Sequence, residues 1–396
     1  MKKNILAVCA AFTLLFAGCK KAEGNTTVKV GLLHSLTGSM AQSEMPVCEA
    51  EQMAIDEINA AGGVLGHKIE VVQLDGESNP DVFASQARKL LTEDKVATIF
   101  GCWTSASRKA VRSVVEEPDI FGLLWYPLQY EGLEASPNIM YVGAAPNQQV
   151  VPAVEYCFKN FGSKMFIVGS DYVFPRTAGD IVKAYLKFLG GECVGERYVD
   201  MECEDFHDVI EQIKEAKPDV ILNTLNGSSN KAFFTQLGEA GITSDDIPVM
   251  SFSISESEID YIGADLLTGH YVSWSYLQTI ASMQNLSFVS RFRNLFGSDC
   301  VIGDPMEAGY IAVYLWAAAC EKAGTFNVED VRMAAKGLSY DAPEGMVTID
   351  GENQHLKKRV RVGRINSNGL IDEIWRSGNI VKPDPYLSTY IWAKGL

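Results

Sequence analysis

Apolar and polar positions along the chain follow two periods. Short apolar runs recur at 28–33, 68–74, 96–100, 122–125, 165–168, 193–199, 219–223 and 248–251. Between them lie longer stretches with apolar residues three and four apart, at 44–61, 82–93, 105–117, 148–161, 176–189, 206–216 and 230–240. The first pattern predicts strands and the second helices. Parallel strands need crossover connections, so this alternation predicts parallel sheets with helices on both faces. The series breaks near Asn147 and resumes, which predicts an α/β chain of two doubly wound lobes. The tail differs. Helical spacing at 283–296, 307–323 and 328–337 is followed by strand-like runs at 347–349, 359–365 and 370–375. The last three read as a β-meander with an Asn368-Gly369 turn. These elements are too few for a third domain and are expected to complete the two lobes.

The first residues form a separate object. Lys2 and Lys3 precede an apolar run at 5–16, interrupted only by Thr13. A run of about a dozen residues is too short to span a bilayer, which takes roughly 20, but it suits a cleaved export signal. Ala17-Gly18-Cys19 ends it with two small residues before a cysteine. That ending resembles a bacterial lipobox, although Phe16 stands where Leu is usual. The expectation is a signal peptide over 1–18, a lipid on Cys19 and a polar tether over 19–27. The apolar run at 310–320 is bounded by Glu307 and Glu321 and reads as a buried helix. One diacylglyceryl group is then expected to hold an extracytoplasmic domain at the membrane surface.

Composition narrows the function. Hydrophobic residues make up 47% and charged residues 21%, ordinary globular usage that excludes a disordered chain. The net charge is −16, and loss of Lys2 and Lys3 with the signal takes it to −18. A phosphate-binding surface needs the opposite sign, so no nucleic-acid partner is expected. Seven cysteines follow Cys19, an odd number without a CxxC pair. Cys193 and Cys203 are left as a possible pair, and the others read as buried thiols. Phosphate-loop, zinc-protease and nucleophile-elbow motifs are absent, and His34, His67, His207, His270 and His355 are scattered. No enzyme, metal or cofactor is expected.

The chemistry collects where strands end. Ligands of open α/β sheets bind beyond the carboxyl ends of the strands. The run at 96–100 exits into GCWTSASR (101–108), where Ser105 or Ser107 is the expected N-cap of the next helix and free N–H groups suit a carbonyl or carboxylate oxygen. Three further exits are YPLQYEG (126–132), GSDYVFPR (169–176) and TLNGSSN (224–230). Aromatic, hydroxyl and amide groups converging from several exits describe a small-molecule cleft.

These segments, with APNQQ (145–149), DPMEA (304–308) and DAPEG (341–345), resemble the type I periplasmic binding proteins of the leucine/isoleucine/valine-binding class. More narrowly, they are similar to the urea and short-chain-amide branch, the receptor component of urea ABC transporters. The resemblance runs from about Val28 to Tyr386. It implies two Rossmann-like lobes joined by a three-crossover hinge, with lobe one at 28–146 plus 278–344 and lobe two at 147–277 plus 345–396. It implies ligand contacts at Trp103, Ser105 and Tyr126, facing an aromatic wall of Tyr172 and Phe174. Gln129, Tyr130, Asp171 and Asn226 follow by the same matching. It further implies capture of urea and its delivery to the permease and ATPase subunits of an ABC transporter.

Urea is neutral and planar, with one carbonyl acceptor and four N–H donors. The Ser105 hydroxyl and N–H are expected to donate, Asp171 and amide oxygens to accept, and the aromatic rings to sandwich the plane. Four heavy atoms at a ceiling of ~1.5 kcal/mol each bound the affinity near −6 kcal/mol, a Kd of roughly tens of micromolar. Rival readings are a receptor for short amides or branched-chain amino acids, or an amide-sensing regulatory protein. The export signal argues against the last.

Overall fold

A computed structural model describes residues 26–396. The expected signal peptide, Cys19 and most of the expected tether lie outside the described residues. Three sheets organise the rest. The first contains β1 (Thr27–His34), β2 (Lys68–Asp75), β3 (Ile99–Gly101), β4 (Leu124–Tyr126) and β5 (Ile139–Tyr141), in the order β2-β1-β3-β4-β5, all parallel. The second contains β6 (Lys164–Ser170), β7 (Glu192–Val199), β8 (Val220–Thr224), β9 (Val249–Ser251) and β10 (Tyr271–Trp274), parallel throughout. The third is a small antiparallel sheet of β11 (Ser339–Ala342), β12 (Gly345–Ile349) and β13 (Leu356–Lys357). The hairpin of β14 (Arg361–Ile365) and β15 (Ile371–Arg376) then adds antiparallel to the edge of β10, giving β15-β14-β10-β9-β8-β6-β7.

The two-lobe α/β architecture is therefore as the periodicity implies. The chain passes from the first sheet to the second after β5, returns after β10 and crosses again before β14. β3 and β8 are completely buried strands between helical layers, as parallel sheets require. The tail departs from the expected meander. β12 stays with β11 and β13, and Val347, Ile349 and Leu356 pack in the core that holds Val30, Leu32 and Trp125. Residues 345–357 thus join the first lobe's core, although the resemblance implied a switch at Gly345. Their partner strand β11 packs on helix Asp304–Ala323 before the chain reaches β14. β5, β10 and the helices Glu256–Ile262 and Ala264–Leu267 carry no periodic signal in so few residues.

Polar side chains tie the crossovers. Gln149 Nε2 donates to the carbonyls of Phe252 (3.0 Å) and Ser273 (2.9 Å). Asp304 Oδ2 accepts the N–H groups of Ser275 (2.9 Å) and Tyr276 (2.7 Å). Lys358, almost fully buried, donates to the Val142 carbonyl and pairs with Glu344, both at 3.0 Å. All seven cysteines among the described residues are free thiols, Cys193 and Cys203 included.

Candidate functional site

β3 and β4 are parallel neighbours, so their carboxyl ends lie on one edge of the first sheet. β3 ends in a forced turn. Gly101 has φ +143°, and a Cβ there would lie 2.0 Å from the Leu33 carbonyl oxygen, so only glycine fits. The turn delivers Trp103 to the sheet edge and opens helix Ser105–Val115. Its N-cap is Thr104, whose Oγ1 accepts the Ser107 N–H at 3.0 Å; neither Ser105 nor Ser107 caps it. Thr104 alone has the extended backbone that a cap needs. The Ser105 and Ala106 N–H groups remain as donors at the positive end of the helix.

The Ser105 hydroxyl is otherwise engaged. It donates to Glu131 Oε2 at 2.6 Å and accepts from Arg108 Nη1 at 3.0 Å. Arg108 is fully buried, bonds Glu131 and Glu134 at 2.7 Å each, and lies 5.0 Å from the ring centres of Tyr126 and Tyr130. Burial pushes the Glu131 carboxyl up, but the Arg108 charge and hydrogen bonds from Arg108 and Ser105 outweigh it, leaving Glu131 below the usual carboxylate range. A ligand carbonyl at this exit meets the helix N–H groups rather than a free Ser105 hydroxyl. Tyr126 donates to the Trp103 carbonyl at 2.7 Å, which locks the turn.

The second lobe faces this edge with the ends of β6 and β8. Tyr172 occupies the N-cap position of helix Val173–Leu189, and its hydroxyl feels the charges of Glu131, Arg108 and Glu44 across the cleft. Burial first, then Tyr126, pushes that hydroxyl well above its ordinary range. Asn226 is buried after β8; its Nδ2 donates to the Thr224 carbonyl at 3.1 Å, and its Oδ1 accepts from Trp103 Nε1 at 3.4 Å. Gln129 Nε2 donates to the Phe252 carbonyl at 3.2 Å. Both contacts cross from one lobe to the other. The Oε1 atoms of Gln129 and Gln149 are buried without partners.

Trp103, Ser105, Tyr126, Gln129, Tyr172 and Asn226 are thus brought together. Three expected residues are not. Asp171 is exposed, and its carboxylate is held by Arg176 at 2.5 and 2.8 Å. Phe174 lies in the helix's first turn and packs in the second lobe's core with Ile181 and Val182. Tyr130 packs 5.0 Å from Tyr141 and from His355, and its hydroxyl accepts the Glu134 N–H at 2.7 Å. His355 stacks on Tyr141 at 4.3 Å, buried in the first lobe.

Three residues at the site went unread: Arg108, Glu131 and Glu44. Glu44 stands in the first turn of helix Ala41–Ala60, 1% exposed. Its Oε2 accepts the Ser35 N–H at 2.8 Å and lies 3.6 Å from His34 Nδ1. His34 Nε2 is 2.8 Å from Glu51 Oε2. Burial alone would lower the His34 pKa, yet Glu51 and Glu44 raise it to about 10, so the ring is an imidazolium. The signal was available, because β1 is also a parallel strand and its exit, His34-Ser35, falls under the same strand-end rule.

The profile described as a periplasmic binding protein domain matches residues 28–391. Among curated relatives, a Leu/Ile/Val-binding protein homolog 7 of Brucella melitensis biotype 1 is 24% identical over 409 aligned residues, covering 97% of each chain. A homolog 6 of Brucella abortus is 22% identical, covering 91% of this chain and 92% of its own. Of solved structures, a solute-binding protein of an ABC transporter from Rhodopseudomonas palustris BisB5, in complex with 3,4-dihydroxybenzoic acid, superposes with a TM-score of 0.81 at 23% identity, covering 90% and 98%. A branched-chain amino acid transporter substrate-binding protein from Streptococcus pneumoniae, in complex with isoleucine, superposes at 0.78 and 21%, covering 90% and 100%. At such identities the structures speak to the fold.

Proposed function

The chain belongs to the periplasmic binding protein domain family, and from that premise we propose that it is an extracytoplasmic receptor that captures urea between its lobes for an ABC permease. It is a binding protein and not an enzyme. Lobe one comprises 28–146 and 278–344, to which the packing of Val347, Ile349 and Leu356 adds 345–357. Lobe two comprises 147–277 and the rest. Cys19 carries the lipid that keeps the receptor at the membrane. The permease and ATPase partners follow from what related chains are named for.

One observation supports a neutral ligand over the benzoates and amino acids of the neighbours. Arg108 is the guanidinium at the cleft wall, and Glu131, Glu134 and Ser105 already satisfy it. A carboxylate ligand would find no free cation there and would meet Glu44 and Glu131 as like charges. Urea asks only for N–H donors at its oxygen and acceptors at its nitrogens. The helix N-terminus at Ser105 offers the first, and the Asn226 and Gln129 amide oxygens offer the second. Trp103, Tyr126 and Tyr172 supply flat surfaces.

Calorimetry of the mature domain with urea, formamide, acetamide, leucine and benzoate is the test. The expected order places urea first, with a Kd of roughly tens of micromolar. Tighter binding of leucine or benzoate than of urea would overturn the assignment.

A further inference from the structure

Glu44 has one carboxylate oxygen committed and one uncommitted. Oε2 accepts the Ser35 N–H at 2.8 Å and lies at ion-pair distance, 3.6 Å, from His34 Nδ1. Oε1 has no hydrogen-bond partner among the described residues, although the residue is 1% exposed. The charge of Glu44 reaches Cys102, in the β3 exit of lobe one, and the hydroxyl of Tyr172 in lobe two. Four residues before Glu44, Met40 approaches Gly227, where a Cβ would lie 3.1 Å from Met40 Sδ and 2.7 Å from the Ser39 carbonyl oxygen. The first turn of this helix therefore abuts the Asn226-Gly227 loop of the opposite lobe.

A buried carboxylate with an uncommitted oxygen is costly unless a donor reaches it. His34 reduces that cost from behind. It sits between Glu44 and Glu51, 3.6 Å from the one and 2.8 Å from the other. Resting on the reading of this cleft as the ligand site, we propose that Glu44 Oε1 is a further N–H acceptor beside the Asn226 and Gln129 amides and selects ligands that present amide N–H groups over carboxylates of the same shape. The helix N–H groups at Ser105 take the ligand's carbonyl oxygen, and Glu44 takes N–H from the other end.

The test compares acetamide with acetate, which differ in one NH2 for one oxygen, alongside urea. Wild-type protein is expected to bind acetamide at least 100-fold more tightly than acetate. Glu44→Gln, which is isosteric but turns an acceptor oxygen into a donor NH2, is expected to weaken urea and acetamide by roughly 10- to 100-fold, the range for a hydrogen bond to a charged group. The amide-to-acetate ratio should narrow in the same variant, a change that a folding defect alone would not produce. Equal urea affinity in wild type and Glu44→Gln would overturn the role of Glu44 while leaving the urea reading intact. Acetate binding as tightly as acetamide to the wild type would overturn it without recourse to any variant. Tighter benzoate than urea binding in the wild type, left unchanged by Glu44→Gln, would overturn both.

Discussion

Replacing Arg108 by Met removes a charge and keeps most of the side chain's length and apolar contact. Arg108 and Glu131 are each fully buried, and their 2.7 Å bond is reinforced by Glu134 and Ser105. Breaking a buried pair from one side costs about 3–5 kcal/mol, because the remaining charge is stranded. Lys109 Nζ, 3.5 Å from Glu131, softens the loss and favours the lower end. With about 2.1 cal/mol/K of unfolding entropy per residue, the described chain carries roughly 0.8 kcal/mol/K, so the melting temperature should fall by about 4–6 °C at pH 7. The pH dependence separates charge from packing. In the wild type the Glu131 pKa is lowered, so its stabilisation is present above the unfolded carboxylate value and is lost as pH falls through the folded one. In Arg108→Met burial is opposed chiefly by Lys109 and the Ser105 hydroxyl, the folded pKa rises, and protonation stabilises the folded state as pH falls. The gap between the two proteins should therefore shrink from pH 7 to pH 4 in thermal unfolding followed by circular dichroism. A gap of constant size would refute the electrostatic account and leave only the contacts with Tyr126 and Tyr130. Glu131→Gln should cost less than Arg108→Met, since Glu134 still holds the guanidinium.

Trp103→Phe keeps a flat ring but loses the donor to Asn226, so the closed arrangement should weaken by about 0.5–1.5 kcal/mol; urea affinity should fall roughly two- to tenfold, with a larger radius of gyration by small-angle scattering, and unchanged values would dismiss the latch. His34, raised to about 10, adds stability that is complete below its unfolded value near 6.5 and is lost as pH climbs through 10. Chemical denaturation should show that alkaline decline in the wild type and a flatter one in His34→Gln. Cys19→Ser should move the protein from the membrane to the soluble fraction, and retention at the membrane would exclude the lipid on Cys19.

The alternation of short apolar runs with helical spacing made the lobes legible, because parallel strands buried on both faces must be almost wholly apolar. β8, buried along its entire length, is such a run. Three-residue strands such as β5 fall below the length at which a period exists, and the pairing of β12 was misread because its partners β11 and β13 are too short to show one. The cleft was legible in its aromatics, since Trp103, Tyr126 and Tyr172 follow strand ends directly. Side-chain direction was not. Asp171 and Tyr172 are neighbours, yet one meets Arg176 in solvent and the other faces the cleft, because Tyr172 sits at a helix N-terminus with extended φ and ψ. Arg108 and Glu131 are far apart in sequence and unremarkable alone; only the fold of the 126–132 loop against helix Ser105–Val115 makes them a pair.

That pairing bears on why one fold accommodates ligands of opposite character. The sheet ends and helix N-termini are common property of the architecture and favour an oxygen atom of any kind, carbonyl or carboxylate. What differs is the charge left over once internal pairs are made. Here Arg108 is spent on Glu131 and Glu134, Arg176 on Asp171, Lys358 on Glu344 and Arg361 on Glu373. No cation at these positions is left for a carboxylate, while Glu44 holds an unengaged oxygen beside the opposite lobe. A carboxylate entering the closed cleft would shed its hydration and meet carboxylates at low local dielectric without a free cation of its own. A neutral amide loses far less on desolvation and recovers it through hydrogen bonds. On the proposed reading, the selectivity of this cleft follows from its internal charge pairing more than from its shape.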